Sequence, residues 1–190
     1  TALENNTTGC QNTALGAQAM QANTTGSKNT ASGYLALHQN TSAIGNTAVG
    51  NEALRFNTTG GCNTAVGRAT SRHNTTGANN TASGYFALYK NTTGSRNVAS
   101  GFYALYCNTT GEKNTVLGSE AMEKNTTGGQ NIAIGFEAMK CNTTGVCNTA
   151  SGYLAGQKGT TASRNVMIGS RAAYSITTGS ANVVKTRYIT

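Results

Sequence analysis

The side chains that could carry catalysis are few in this chain, and they are scattered along it. Its 190 residues include two histidines (His38 and His73), five cysteines and six acidic residues, all of which are glutamate. Acid–base or nucleophilic catalysis needs a nucleophile beside a base, or carboxylates brought together. There is no aspartate to orient a histidine, and no Cys–His cluster has zinc spacing. We therefore predict no catalytic residue, no metal ligand and no cofactor, and we expect that the protein is not an enzyme.

The residues that do recur are asparagine, glycine and threonine, and they recur every seventeen residues. Asparagine opens each unit from Asn12 to Asn182, eleven times without an insertion or deletion. The unit reads N-T-A-x-G-x-x-A-L-x-x-N-T-T-G-x-x, and its positions are numbered 1 to 17 from this Asn. A fixed period of this kind indicates a solenoid, in which each unit forms one coil of a stack.

Seventeen residues are too few for a helical repeat, so the fold class predicted is all-β: a parallel β-solenoid of about eleven 17-residue coils. The array covers residues 1–184. Residues 185–190 leave the pattern and are candidates for a cap or a junction.

Each coil is expected to contain two short strands and two turns. The first strand is N-T-A-x-G, with β-formers at its second position. The second is centred on x-x-A-L/M, and its Leu or Met is the best candidate for the interior. The unbroken Gly at position 5 predicts a positive φ or a close backbone approach at a corner. The second turn is N-T-T-G, because Asn and Gly tolerate the left-handed region.

The unbroken columns are interpreted as structural, because a catalytic residue is needed once and not eleven times. In a stack in register, Asn amides and Thr hydroxyls can bond to their copies above and below. The predicted structural ladder consists of Asn12, Asn29, Asn46, Asn63, Asn80, Asn97, Asn114, Asn131, Asn148, Asn165, Gly50, Gly67, Gly84, Thr58, Thr75 and Thr92.

Residues that differ between coils are the candidates for binding a partner. The net charge of +8 favours anionic partners in general, although basic residues can also serve only to keep a fibre soluble. No run of Lys or Arg and no nucleic-acid motif is present, so nucleic-acid binding is not expected. No stretch is apolar enough for membrane insertion by this segment. The predicted surface contacts are Tyr34, Tyr85, Phe102, Phe136, Tyr153, Lys90, Lys124 and Lys140.

The predicted core is thin, because mostly Ala, Leu and Met face inward with one large residue per coil. Oligomerisation is the usual remedy when a chain cannot bury enough surface by itself. Position 4 alternates between apolar residues and Ser, which is typical of a seam between chains or of a half-wet face. The five cysteines are expected to be free thiols, since their number is odd and their placement irregular.

The sequence N-T-A-[LSVI]-G, followed by A-[LM] and N-T-T-G, resembles the head repeats of trimeric autotransporter adhesins. It is also similar to β-solenoid repeats in bacteriophage tail-fibre proteins. Residues 46–50 and their ten sister segments match the inner strand S/N-x-A-x-G of the family, and the resemblance extends from residue 1 to about residue 184. It implies a left-handed parallel β-roll, three chains per fibre, and a role in attachment.

Three functions follow from these observations. The first is a structural and adhesive fibre segment: a rigid rod on a cell surface or virion, homotrimeric, binding a host surface or an anionic glycan. The second is a self-assembling extracellular filament built by head-to-tail association. The third is ice binding by ranks of Thr. The two adjacent Thr of N-T-T-G should point to opposite faces, so no flat rank is expected from that turn.

Overall fold

The computed structural model describes residues 1–186 as one stack of coils. The strands are β1 Thr13–Leu15, β2 Thr30–Ser32, β3 Thr47–Val49, β4 Thr64–Val66, β5 Thr81–Ser83, β6 Val98–Ser100, β7 Thr115–Leu117, β8 Ile132–Ile134, β9 Thr149–Ser151, β10 Val166–Ile168 and β11 Val183–Lys185. They form one sheet in chain order, with every neighbouring pair parallel. Each strand residue pairs with the residue seventeen positions later, as Ala31 does with Ala48.

The predicted parallel β-solenoid with 17-residue coils is therefore confirmed. Coils are numbered below by their strands, so that coil 1 begins at Asn12 and coil 11 at Asn182. Strand β11 includes Lys185, one residue beyond the predicted end of the array at residue 184. Residues 187–190, most of the segment suggested as a cap or junction, lie outside the described residues.

The short strand of each coil is shaped by the alternation of its side chains. In β4, Thr64 and Val66 are exposed while Ala65 between them is buried. The strand stops at the Gly of position 5, whose φ lies between 113° and 144° in coils 1 to 10. A Cβ on Gly101 would lie 2.5 Å from the carbonyl oxygen of Gly118 in the next coil. Both features that the sequence suggested for this corner, a positive φ and a close backbone approach, are present.

The second predicted strand is wrong, because the x-x-A-L/M segment forms consecutive turns. In coil 8 the Ala138 N–H donates to the Gly135 carbonyl (3.3 Å), with Glu137 at φ 51°. The Lys140 N–H then donates to the Glu137 carbonyl (3.2 Å), with Met139 at φ 51°. A positive φ at the third residue is the mark of a type II turn. Alternate left-handed residues prevent the extended conformation that a strand needs.

These turns still bond to the neighbouring coils, which explains why the chain tolerates them. The Met139 N–H donates to the Ala155 carbonyl of coil 9 at 2.8 Å, and the equivalent Leu88 and Ala104 are joined at 2.9 Å. A residue held with φ > 0 costs about 1–3 kcal/mol. The same intercoil bond recurs along the stack, so its regular pairing offsets this local strain.

The core lies between the strand and the turn segment. The predicted interior column of Leu and Met is buried, together with the Ala residues at positions 3 and 8. Coil 9 shows that positions 9 and 3 face each other across the core: a Cβ on Gly156 would lie 2.7 Å from Met167 Sδ. Gly156 replaces the usual Leu at position 9, and Met167 replaces the usual Ala at position 3. The larger side chain thus fills the space that the smaller one leaves.

Coil 4 interrupts this core. One apolar cluster ends at Ala65 and the other begins at Ala82. Between them, Thr70 and Ser71 occupy the positions of Ala and Leu and are themselves buried.

Replacing Thr70→Ala together with Ser71→Leu should therefore stabilise the chain. The new Leu would join the two clusters, and we expect the free energy of unfolding to rise by roughly 1–3 kcal/mol. Chemical denaturation followed by circular dichroism measures this. Thr76→Leu, an exposed change in the same coil, is the control and should stay within about 0.5 kcal/mol of the parent. A double variant less stable than the parent would show that coil 4 has no room for Leu.

Candidate interaction surface

The first column of asparagines is buried from Asn29 to Asn165 and joins successive coils. In coil 6 the Asn97 N–H donates to Asn80 Oδ1 at 2.9 Å, and Asn97 Nδ2 donates to the Gly111 carbonyl at 2.9 Å. The Asn114 N–H of coil 7 donates to Asn97 Oδ1 at 3.0 Å. The pattern is the same for the members of the predicted ladder from Asn29 to Asn165. The side chain thus bonds mainly to backbone groups, and it has no free group for binding a partner.

The asparagines of the N-T-T-G turn form a second column. Asn91 Nδ2 donates to Asn74 Oδ1 at 2.7 Å and to the Gly94 carbonyl at 2.9 Å. This column runs from Asn6 to Asn142, and Gly159 takes the next place. The sequence indicated that the asparagines of this turn can bond to their copies above and below, and Asn91 does so. Because this amide is buried, its hydrogen bonds are important for stability. An unpaired buried amide would cost about 1–3 kcal/mol.

The predicted threonine column bonds to backbone, not to other hydroxyls. The Oγ1 atoms of Thr58, Thr75 and Thr92 each donate to the carbonyl of the equivalent Thr in the next coil at 3.0 Å. Gly50, Gly67 and Gly84 form the tight corner described above. All the columns that repeat without change are therefore occupied in holding the stack together.

One set of residues that differ between coils lies beside the turn segment, on the side of the rod away from the sheet. We call positions 6, 7, 10 and 11 of coils 1 to 10 the variable face. Positions 7 and 10 flank the buried pair at positions 8 and 9, and their side chains are mostly half-buried. Along coils 3 to 8 the chemistry of this face changes twice, from basic to aromatic to acidic.

The basic block consists of Glu52, Arg55, Arg68 and Arg72 in coils 3 and 4. Glu52 pairs with Arg55 (Oε1 to Nη1, 2.5 Å) and with Arg72 (Oε2 to Nε, 2.9 Å). Arg68 is exposed, and its Nη1 donates to the Tyr85 hydroxyl at 3.4 Å. Three arginines against one glutamate leave an excess of positive charge.

The aromatic block fills the same positions in coils 5 and 6, and its members are Tyr85, Phe86, Tyr89, Phe102, Tyr103 and Tyr106. Tyr89 stacks on Tyr106 with ring centroids 5.2 Å apart and planes 3° apart. The predicted contacts Tyr85 and Phe102 stack in the same way at 5.6 Å and 7°. Rings at the same position of adjacent coils lie one above the other, and they therefore stack with nearly parallel planes. Lys90, another predicted contact, lies 5.2 Å from the Tyr106 ring centroid.

The acidic block consists of Glu120, Glu123, Glu137 and Lys140 in coils 7 and 8. Lys140 Nζ lies 2.5 Å from Glu120, 3.0 Å from Glu137 and 3.5 Å from Glu123. The hydrogen bond that Lys140 donates to Glu120 is the main reason that the pKa of Lys140 is raised. Three carboxylates around one ammonium leave negative charge in excess. This placement argues against Lys140 as a contact for an anion, because its charge is already neutralised.

The other predicted contacts do not join these blocks. Phe136 stacks on Tyr153 at 5.7 Å in coils 8 and 9. Tyr34 is exposed in coil 2, and Lys124 is exposed at position 11 of coil 7. The sequence showed that Phe86 and Tyr103 adjoin the exposed aromatics at position 6, but Tyr89 and Tyr106 were missed as members of the same cluster. The signal was present, since these four rings recur at positions 7 and 10 in two adjacent coils.

The sheet is the other surface of interest, because it exposes apolar side chains in a row. Positions 2 and 4 of each strand point outward. Ile132 and Ile134 of β8 are 41% and 40% exposed, and Ile168 of β10 is 44% exposed. Exposed apolar side chains that recur along one surface mark interaction sites, although Thr and Ser of other strands interrupt them here. Position 4, which the sequence suggested as a seam or a half-wet face, lies on this surface.

Other classes of site leave little trace in the structure. Within residues 1–186 no three His, Cys, Asp or Glu side chains are grouped so that they could hold a metal ion. The same residues include no helix long and apolar enough to cross a membrane. All five cysteines are free thiols, as the sequence indicated. Burial raises the pKa of the Cys107 thiol.

In comparisons with known proteins, no family model, no curated protein and no solved structure matches this chain.

Proposed function

We propose that this chain is a rigid segment of an extracellular fibre on a cell surface or virion, and that it mediates attachment. The observation that carries the proposal is that different positions of the coil have different roles. The unchanging Asn, Thr and Gly columns all take part in stacking, whereas the charged and aromatic blocks lie together on the variable face. At ~4.8 Å per coil, eleven coils give a rod of roughly 50 Å. A rod of this kind holds a varied surface at a fixed distance from its base.

The proposed fibre contains three chains whose sheets face one another. The exposed apolar side chains of the strands support this arrangement, because water contact with them is unfavourable by roughly 25 cal/mol per Å². The resemblance to trimeric adhesin heads supports it independently. In this arrangement the variable face of each chain points outward, where a receptor can reach it.

Sedimentation equilibrium tests the assembly. The expected mass is three times that of the chain, in high salt that weakens contacts between charged surfaces. Ile134→Lys places a charge on the sheet and should reduce the mass to that of one chain. Thr144→Lys, an exposed change in the same coil but away from the sheet, should leave the trimer intact. A single-chain mass for the unsubstituted protein would contradict the trimer.

Ice binding is a second candidate, favoured by a feature of the sheet. Thr47 and Thr64 point outward from a flat row of strands, in register with Val49 and Val66 two residues on. This rank of Thr comes from the strand and not from the N-T-T-G turn. It is interrupted, because β6 and β8 carry Val98 and Ile132 at the same position. Thermal hysteresis of a concentrated solution tests this candidate, and its absence would exclude it.

A further inference from the structure

We infer that the variable face of coils 4 to 7 docks against the same face of a second copy of this chain, with the two rods antiparallel. This pairing is separate from the proposed trimer, because it uses the side of the rod away from the sheet. The aromatic block forms the centre of the contact. Its two ends are formed by the members of the charged blocks that lie in coils 4 and 7, namely Arg68, Arg72, Glu120 and Glu123.

The first argument is the order of charges along the rod. The basic block precedes the aromatic block and the acidic block follows it, so the excess charges have opposite sign on either side of coils 5 and 6. Glu52 and Lys140 neutralise only part of each block. A surface with this order is complementary to itself when one copy is reversed, which is the requirement for a two-fold symmetric contact.

The second argument is the register that the two-fold axis imposes. An axis in the contact plane, running across the rods between coils 5 and 6, sets coil 5 of one copy against coil 6 of the other. It also sets coil 4 against coil 7, and each position faces its own equivalent. Arg72 then faces Glu123 of the second copy at position 10. Arg68 at position 6 lies next to Glu120 of the second copy at position 7. Each pair occurs twice because of the symmetry.

Position 11 brings two basic side chains together, and their charges do not oppose the pairing. His73 in coil 4 faces Lys124 of the second copy. His73 stacks on Phe56 at 5.2 Å and packs edge-on against Tyr89 at 4.8 Å. Burial, followed by the nearby Arg72, lowers the pKa of His73, which favours the uncharged ring.

The third argument is the composition of the centre. Aromatic residues are enriched in the cores of protein interfaces, with charged residues at the rim. Tyr85 and Phe102 are 37% and 48% exposed in the single chain, whereas the other four rings of the aromatic block are half-buried. The reversed copy covers these rings with the same rings.

The contact is expected to be weak. The four coils span roughly 20 Å at ~4.8 Å each. If the contact is about as wide as it is long, its area is roughly 400 Å². This is less than the about 800 Å² per partner that stable complexes bury. We therefore expect a dissociation constant on the order of 10–100 µM that rises with salt.

Sedimentation velocity at increasing protein concentration, in about 50 mM salt, tests the pairing. The mass should rise above that of the basic unit, whether that unit is one chain or three. Arg68→Glu alone or Glu120→Arg alone should raise the dissociation constant of the pairing at least ~10-fold, because each places like charges together. Mixing the two variants should restore association, because the mixed pair regains one original and one reversed ion pair. Arg96→Glu, which changes the charge equally at the exposed position 17, should associate like the parent.

Restoration by mixing separates a lost contact from a misfolded variant, since mixing cannot rescue a chain that fails to fold. Absence of any rise with concentration would overturn the pairing, and so would variants that associate as well as the parent. Binding of a sulfated polysaccharide to the aromatic block, without self-association, would overturn it in favour of a glycan site. None of these outcomes alters the mass of the basic unit, so the trimer stands or falls separately.

Discussion

Replacing Gly101 with alanine is expected to cost at least about 3 kcal/mol of stability, or to prevent folding altogether. Gly101 has a φ of 137°, which L side chains rarely adopt. The new Cβ would also lie 2.5 Å from the Gly118 carbonyl oxygen and 2.6 Å from its carbon. These are backbone atoms of the next coil, so relief requires the two coils to separate and their hydrogen bonds to break. Chemical denaturation followed by circular dichroism measures the loss.

Gly111→Ala is the matched control, because it adds the same methyl group at the second turn of the same coil. Its Cβ would lie 2.4 Å from Asn108 Oδ1 and from the Gly128 carbonyl oxygen. The chain nevertheless carries Ala43 and Ala162 at this position in other coils. We expect a cost of roughly 1–2 kcal/mol. Equal costs for the two variants would mean that the positive φ at position 5 is not the decisive constraint.

Replacing Asn97 with alanine should cost about 3–5 kcal/mol. The change removes the donor to the Gly111 carbonyl and the acceptor for the Asn114 N–H, and both groups lie inside the stack. The Gly111 carbonyl keeps a second donor, Asn108 Nδ2 at 3.0 Å, so the main loss is the acceptor of the Asn114 N–H. Because stability in a solenoid is close to a sum over neighbouring coils, the damage should be local. Relative to the parent, hydrogen exchange in the variant should therefore accelerate more in coils 5 to 7 than in coils 1 and 2.

Thr93→Ala provides the comparison for Asn97→Ala. Thr93 is exposed at position 14 of the adjacent coil, and its removal should change stability by no more than about 0.5 kcal/mol. If Asn97→Ala cost as little as Thr93→Ala, the asparagine column would not be what holds the coils together.

The register and the fixed columns of this fold could be read from the sequence, because an exact repeat imposes one geometry on each unit. Asn97 recurs with its ten counterparts, so any bond that it makes must be made again in the next coil. The outward direction of Thr64 and Val66 likewise follows from strand alternation. Periodicity is a strong signal when insertions are absent.

The turn segment could not be predicted in the same way, because its residues contradict local preference. Leu88 and Met122 have φ values of 54° and 48°, which residues of these types rarely adopt. Intercoil hydrogen bonds stabilise that conformation, and a single unit does not reveal them. Gly156 at position 9 was a hint, since one coil places the most permissive residue there.

Only part of the variable face could be predicted from the sequence. The exposed rings Tyr85 and Phe102 were identified, but the sequence did not show that three carboxylates surround Lys140 at once. Its three carboxylates come from two coils, and which of them reach it depends on how positions 7 and 10 meet across the stack. Patterns within a unit predict the fixed columns, whereas contacts between unlike residues of neighbouring coils need the three-dimensional stack.

Adhesion of coated beads to an immobilised sulfated polysaccharide tests the proposed attachment most directly. Beads carrying the chain should adhere, and the double variant Lys90→Glu/Lys124→Glu on the variable face should adhere about ten-fold less. The double variant Lys28→Glu/Lys113→Glu, with the same change in charge at exposed position 17, should adhere like the parent. Adhesion no greater than that of uncoated beads, or equal loss in both variants, would contradict attachment through the variable face.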